Sequence, residues 1–323
     1  MKNVCITGAT GLLGTNLIIK LLQNGYSVTA LVRKKSTWTG KENENLKLIE
    51  TDISSGISTL LTDIDCFIHI AAETRQNLID YNEYQKINYE TTVNLYHQAE
   101  SVGVRKFMFV SSANTLGFGN TNFWGTEEAP QLYPFTHSLY AQSKLQAEEY
   151  LLRHRRNTEV VIVNPTFMIG AYDTKPSSGK IIFWAWKKKL IFYPKGGKNF
   201  VHVEDVAIGI VNAIEKGRNG EKYLLANENM NYRDFFKKIN RITHQKPIMM
   251  PIPNIILNLL GWVGDGLRKL KIKTSLSTAN MKALQVCNYY NNRKSVEELE
   301  VQYQPVDKAI EDAVQYFIKN TKH

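Results

Sequence analysis

Cysteine is scarce in this chain of 323 residues: Cys5, Cys66 and Cys287 are the only three. Their number is odd, their spacing is wide and none falls in a metal-ligand pattern, which excludes a disulfide framework and a cysteine-built metal site as organising devices. A reducing, cytoplasmic setting is expected, with Cys5 and Cys66 serving as small buried hydrophobes in apolar strand-like runs. No apolar run reaches the ~18 residues of a membrane span, and Met1-Lys2 lead into Val4-Cys5-Ile6 without a signal-peptide pattern. Heptad runs, internal repeats and low-complexity tracts are absent too. Acidic residues are in the minority, 30 against 40 Lys and Arg, for a formal charge of +10. That balance attracts anions. The basic residues are scattered and no nucleic-acid-binding motif accompanies them, so nucleic acid is not the expected partner; between anionic lipid and phosphorylated small molecules charge alone does not choose.

At 43% hydrophobic and 22% charged residues the composition is that of a folded globular protein, and the length calls for two cores or one large core with an appended lobe. The first half alternates short apolar strands with helical stretches. Asn3 to Ile6, Ser27 to Val32, Leu46 to Glu50, Cys66 to Ile70, Lys106 to Val110 and Glu159 to Val163 read as strands. Between the first two, Leu12, Leu13, Leu17, Ile18, Leu21 and Leu22 recur at helical spacing until Gly25 stops the helix. Such alternation predicts an α/β fold, a Rossmann-type doubly wound parallel sheet, because each right-handed crossover needs a helix to carry the chain back. Residues 1–165 are read as this domain and 166–323 as a smaller, mostly helical lobe for the substrate. Pro176, Ser177-Ser178-Gly179, Pro194 and Gly196-Gly197 mark loops around an aromatic, basic segment from Trp184 to Lys189.

Thr7-Gly8-Ala9-Thr10-Gly11-Leu12-Leu13-Gly14 leaves the first strand and opens the first helix, the one context in which a glycine-rich run carries a mechanism. Gly8 permits the tight turn, Gly11 lets backbone approach a pyrophosphate at the positive helix end, and Gly14 allows close helix–sheet packing. Thr10, Leu12 and Leu13 complete the expected cofactor turn. The TGxxGxxG spacing resembles the short-chain dehydrogenase/reductase superfamily, particularly its extended branch, the NAD-dependent epimerase/dehydratase family. Where an NAD enzyme would place an acidic residue after the second strand, this chain has Arg33 and Lys34, which would hold a 2′-phosphate by charge-assisted hydrogen bonds. NADP is therefore the expected cofactor, with NAD as the alternative.

Tyr140-Ala141-Gln142-Ser143-Lys144 sets Tyr and Lys one turn apart on one helix face. A Tyr-x-x-x-Lys pair alone is common. Here it comes in order after the phosphate turn and after Ser111-Ser112 at the end of the fifth strand, Tyr140 standing 28 residues beyond Ser112. That order resembles the extended enzymes, and the resemblance implies roles: Ser112 polarises a carbonyl, Tyr140 exchanges the proton, and Lys144 holds the nicotinamide ribose while lowering the Tyr pKa. An ammonium beside a phenol does favour the phenolate, which is otherwise scarce at neutral pH.

The same resemblance assigns Asp52 and Ile53 to the adenine, Ala71 and Ala72 to the fourth-strand segment beside the cofactor, Asn88 to the helix behind the site, and Pro165 and Met168 to the nicotinamide side. No metal ligand is expected. Pro194 to Ala207 looks most like the dihydroflavonol-reductase and 3β-hydroxysteroid-dehydrogenase branch, in which residues corresponding to 200–225 return to the first domain. The leading expectation is an NADP(H)-dependent oxidoreductase acting on a carbonyl or alcohol of a small molecule. A nucleotide-sugar epimerase that retains its NAD(P), and a non-catalytic NADP-sensing regulator, are the alternatives. A homodimer is left open. Trp184–Lys189 with Ile252–Val263 is left open between lining an apolar substrate cleft, peripheral contact with an anionic membrane surface, and an amphipathic lobe packed on the core.

Overall fold

Val4, Cys5 and Ile6 are wholly buried in the first strand, β1 (Asn3–Thr7), as a parallel strand covered on both faces requires. The computed structural model describes residues 1–174 and 177–320; Pro176, read above as a loop marker, lies outside them. After β1 comes α1 (Leu12–Gln23), which buries Leu13, Leu17, Ile18 and Leu21 and is released at Gly25, where φ is +77°. β2 (Ser27–Val32), β3 (Leu46–Glu50) and β4 (Cys66–His69) follow. A helical stretch then runs from α2 (Tyr81–Tyr84) through a π-helical insert at Gln85–Glu90 into α3 (Thr91–Ser101). β5 (Lys106–Val110), α4 (Leu139–His154) and β6 (Glu159–Pro165) complete the first half.

Beyond Pro165 the chain forms β7 (Phe167–Ile169), α5 (Lys180–Phe183), β8 (Leu190–Tyr193), β9 (Gly197–His202), α6 (Val203–Lys216), β10 (Lys222–Leu225) and β11 (Glu228–Asn231). α7 (Tyr232–Ile242), β12 (Ile248–Pro251), α8 (Asn254–Lys269), α9 (Thr278–Ala283), β13 (Cys287–Asn288), α10 (Arg293–Leu299) and α11 (Val306–Asn320) end it.

Seven strands make one parallel sheet in the order β10-β6-β5-β4-β1-β2-β3, a Rossmann-type doubly wound arrangement whose order reverses between β1 and β4. α1 and α6 pack together on one face, over a core that includes Leu17, Ile18, Ile210 and Ile214. α3 and α4 cover the other through Leu95, Tyr96, Ala147 and Leu151. β10 joins outside β6, so α6 and β10 belong to the first domain in space although they follow the lobe's first strands in sequence. At the start of α6, His202 accepts from the Glu204 amide and pairs with Asp312 of α11.

The lobe holds two small sheets alongside its helices. One sets β9 between β11 and β13, with β7 also on β9; the other pairs β8 with β12. Their strands are two to six residues long, too short and scattered for alternation to announce. The lobe's core stacks Phe200 of β9 on Phe235 of α7, ring centroids 4.0 Å apart, and is closed by Ile310, Ala313 and Phe317 of α11.

Candidate active site

The C-terminal ends of the parallel strands converge at the point where the sheet order reverses, the place such folds bind ligands. There β1 enters the glycine turn. Gly8 has φ +73°, and a Cβ on it would lie 2.7 Å from the Ala71 amide nitrogen; one on Gly14 would collide with the Gly8 carbonyl. Both glycines are demanded by internal packing. Gly11 differs, because a Cβ there would meet only the Gly8 carbonyl at an ordinary 3.5 Å. It is exposed and caps α1, whose first turn carries no acidic residue and no side-chain cap, so free backbone N–H groups face outward. This cradle fits a dinucleotide's pyrophosphate. Leu12 and Leu13 are buried, and Thr10 is half-buried.

Behind the turn, Thr7 Oγ1 lies 2.7 Å from His69 Nδ1 and accepts from the Ile70 and Ala71 amides, while His69 Nε2 lies 3.1 Å from Thr92 Oγ1. Burial, and the nearby Lys144 charge, push the His69 pKa down to about 3. A neutral imidazole thus ties β1, β4 and α3 together directly beneath the crevice. Its ring stacks on Phe109, and Lys144 Nζ sits 4.0 Å from the centroid of the same Phe109 ring.

α4 starts at Ser138, whose side chain accepts from the Ala141 amide, and this cap sets Tyr140 and Lys144 on the face toward β5. The Ser112 hydroxyl stands beside the Tyr140 phenol, close enough to act on its pKa. Burial raises the phenol to about 12, the Ser112 hydroxyl pulls it back and Glu148 adds to the rise. Lys144 is buried and donates to the Val110 carbonyl at 2.7 Å; burial lowers its pKa to about 7, against the pull of Glu148. Ser112, Tyr140 and Lys144 are therefore gathered at one strand end. Besides burial, the Ser112 hydroxyl and the Glu148 carboxylate act on the phenol, while the Lys144 ammonium is held at the Val110 carbonyl.

A second layer supports this trio. The wholly buried Glu148 accepts from Thr115 Oγ1 and Asn164 Nδ2, each at 2.7 Å, and pairs with Lys222 Nζ at 2.6 Å. Asn164 also donates to the Ser112 carbonyl at 3.1 Å, which fixes the backbone under the Ser112 hydroxyl. Sequence reasoning passed over this network, yet one signal was there: Glu148 continues the four-residue spacing of Tyr140 and Lys144.

Arg33 and Lys34 are exposed just past β2, and the loops after β2 and β3 lie side by side, with Arg33 close enough to help lower the Asp52 pKa. The larger causes are bonds from the Ser54 amide and hydroxyl, so the Asp52 carboxylate caps its own turn, and Ile53 packs inward. Ala71 and Ala72 border the glycine turn at the end of β4. Asn88, behind the site, is wholly buried, and its amide holds both backbone groups of Glu73 and donates to Ser143 Oγ at 3.0 Å. Pro165 ends β6 against Leu225, and Met168 lies half-buried on β7. Across the opening, Arg268 of α8 donates to the Gln76 and Leu78 carbonyls, and a cleft beside Tyr140 is lined by Leu78, Ser138, Arg268 and Asn280.

The model of the NAD dependent epimerase/dehydratase family matches residues 4–226. Among curated proteins, the chain is 28% identical to a putative dihydroflavonol 4-reductase of Synechocystis sp., over 97% of this chain and 93% of that one. It is 29% identical to the sterol-4-alpha-carboxylate 3-dehydrogenase, decarboxylating, of Dictyostelium discoideum, over 81% of this chain and 84% of the other. Among solved structures it is similar to the crystal structure of gox2253, with a TM-score of 0.83 and 27% identity over 99% and 98% of the two chains.

Proposed function

Because this chain belongs to the NAD-dependent epimerase/dehydratase family, as an extended short-chain dehydrogenase/reductase enzyme, we propose that it reduces a small-molecule carbonyl, or oxidises the corresponding alcohol, with NADP(H). The reading is carried by the Ser112 hydroxyl beside the Tyr140 phenol, with the buried Lys144 one turn along the same helix face. When bound along the crevice, the nicotinamide dinucleotide supplies or accepts the hydride. Ser112 orients and polarises the substrate oxygen. Tyr140, held near pKa 12, keeps its proton at neutral pH and gives it to that oxygen as negative charge develops, which favours the reductive direction. Lys144, near pKa 7, can exchange a proton with the phenol's surroundings and offers its ammonium to the ribose hydroxyls. Arg33 and Lys34 support NADP over NAD by charge.

The same trio would serve a nucleotide-sugar epimerase, which takes a hydride and returns it to the same substrate and so must hold its cofactor throughout. An exposed, basic cofactor end favours exchange instead, because its grip weakens with salt. Purification at high salt separates the two. A reductase emerges largely empty. Near-stoichiometric NAD or NADP surviving gel filtration would replace the reductase reading with the epimerase one.

A further inference from the structure

The lobe presents an exposed apolar surface. In the β8–β12 ribbon, Leu190 lies opposite Ile248 and Phe192 opposite Met250. All four point outward, Ile248 with 68% exposure, while Ile191 between them is buried in the lobe's core. A ribbon whose outer face met only water would alternate apolar with polar; this one is apolar on both faces. Pro251 to Pro253 lead directly into α8. That helix turns Leu257, Gly261 and Gly264 inward, and the two glycines let its backbone close on Leu276 and Thr278 beside α9. Its outer side carries Ile255, Ile256, Leu259, Leu260, Trp262 and Val263, with Ile255 at 68% and Trp262 at 67% exposure. No charged residue occurs from Asn254 to Gly264. Contiguous exposed apolar surface of this kind marks an interaction site.

Charge identifies the occupant. Lys187, Lys188 and Lys189 precede the ribbon and Lys269, Lys271 and Lys273 follow α8, all exposed. The one acidic residue within 180–196 and 246–273 is Asp265, which is occupied by the Thr278 amide and hydroxyl. An apolar face rimmed by cations suits the interface of a bilayer bearing anionic lipids, where the apolar side chains enter the acyl boundary and the lysines meet head groups. A second copy fits less well, because isologous pairing would set lysine rim against lysine rim. Among the described residues no helix is long and apolar enough to cross a membrane, so the geometry is one of lying on the surface. We propose that the outer face of β8, β12 and α8 docks this enzyme on anionic bilayer surfaces.

The full chain tests this in co-sedimentation with vesicles of phosphatidylcholine alone or mixed with phosphatidylglycerol. Anionic vesicles are expected to take up at least tenfold more protein, to shift tryptophan emission to the blue, and to release the protein in high salt. Leu259→Glu with Trp262→Glu should lower uptake at least tenfold, as should Lys187→Glu, Lys188→Glu and Lys189→Glu together, with circular dichroism unchanged because every site is exposed. No uptake, or equal uptake by both vesicles, overturns the proposal. So does a dimer that the same variants break in sedimentation velocity without any vesicle binding.

Discussion

The two ends of the candidate cofactor crevice are built on opposite principles. At the Tyr140 end the polar groups are dry: Lys144, Glu148 and His69 are buried, each has protein partners, and burial has moved the Lys144 and His69 pKa values by several units. At the Arg33 end the cations stand in water beyond β2, and Asp52 is shifted mainly by its own turn. Desolvation therefore sets energies at one end and Coulomb attraction through solvent at the other. The first should be strong and indifferent to salt, the second modest and salt-dependent.

The sharpest test lies at the dry end. Tyr140→Phe removes the proton donor while keeping the ring, and turnover should fall by a factor on the order of 10² or more with NADP(H) affinity retained; unchanged steady-state turnover would remove Tyr140 from the chemistry. Next is His69. Its folded pKa of about 3 lies below the unfolded value, so the unfolded state binds the proton first as pH falls. Stability should be fully present above the unfolded pKa of about 6.5 and fall by up to about 1.4 kcal/mol per pH unit below it. Denaturation at pH 7 and pH 5 should show that slope in the native chain and a shallower one in His69→Gln. The smallest effect is expected at the wet end. Titration calorimetry should find NADPH tighter than NADH, Arg33→Asp should reverse the order by roughly tenfold, and 0.5 M salt should narrow the gap. Equal affinities, or a preference blind to salt, would erase the contrast between the two ends.

What the sequence made legible follows the same division between local and assembled features. The glycine turn and the Tyr140–Lys144 pair are contiguous, and their spacing alone carries their geometry. Ser112 could be placed because a strand end is a local event. Arg33 and Lys34 needed only their position after β2. The Glu148 network was harder, since Thr115, Asn164 and Lys222 come from separate segments that only the strand order β10-β6-β5 brings together. His69 stood inside a recognised segment, but its partners Thr7 and Thr92 arrive from β1 and α3. Asn88 shows the reverse: its place behind the site was readable, whereas its bonds to Glu73 and Ser143 depend on how the π-helical insert turns. In the lobe, strands of two to six residues bury too few positions to leave a period.

The seating of β10 outside β6 bears on how the protein comes into being on the ribosome. When residue 165 has emerged, six strands exist but the outer edge of β6 still shows unpaired amides and carbonyls, and Glu148 lacks its Lys222 partner. Both defects are cured together some sixty residues later, after β7, β8, β9 and α6 have been made. Until then the nascent half-molecule carries an open template for another strand. Because one short segment closes the sheet and pairs the buried carboxylate under Ser112, the chain has no stage at which the Ser112 strand end is finished but the edge is still bare.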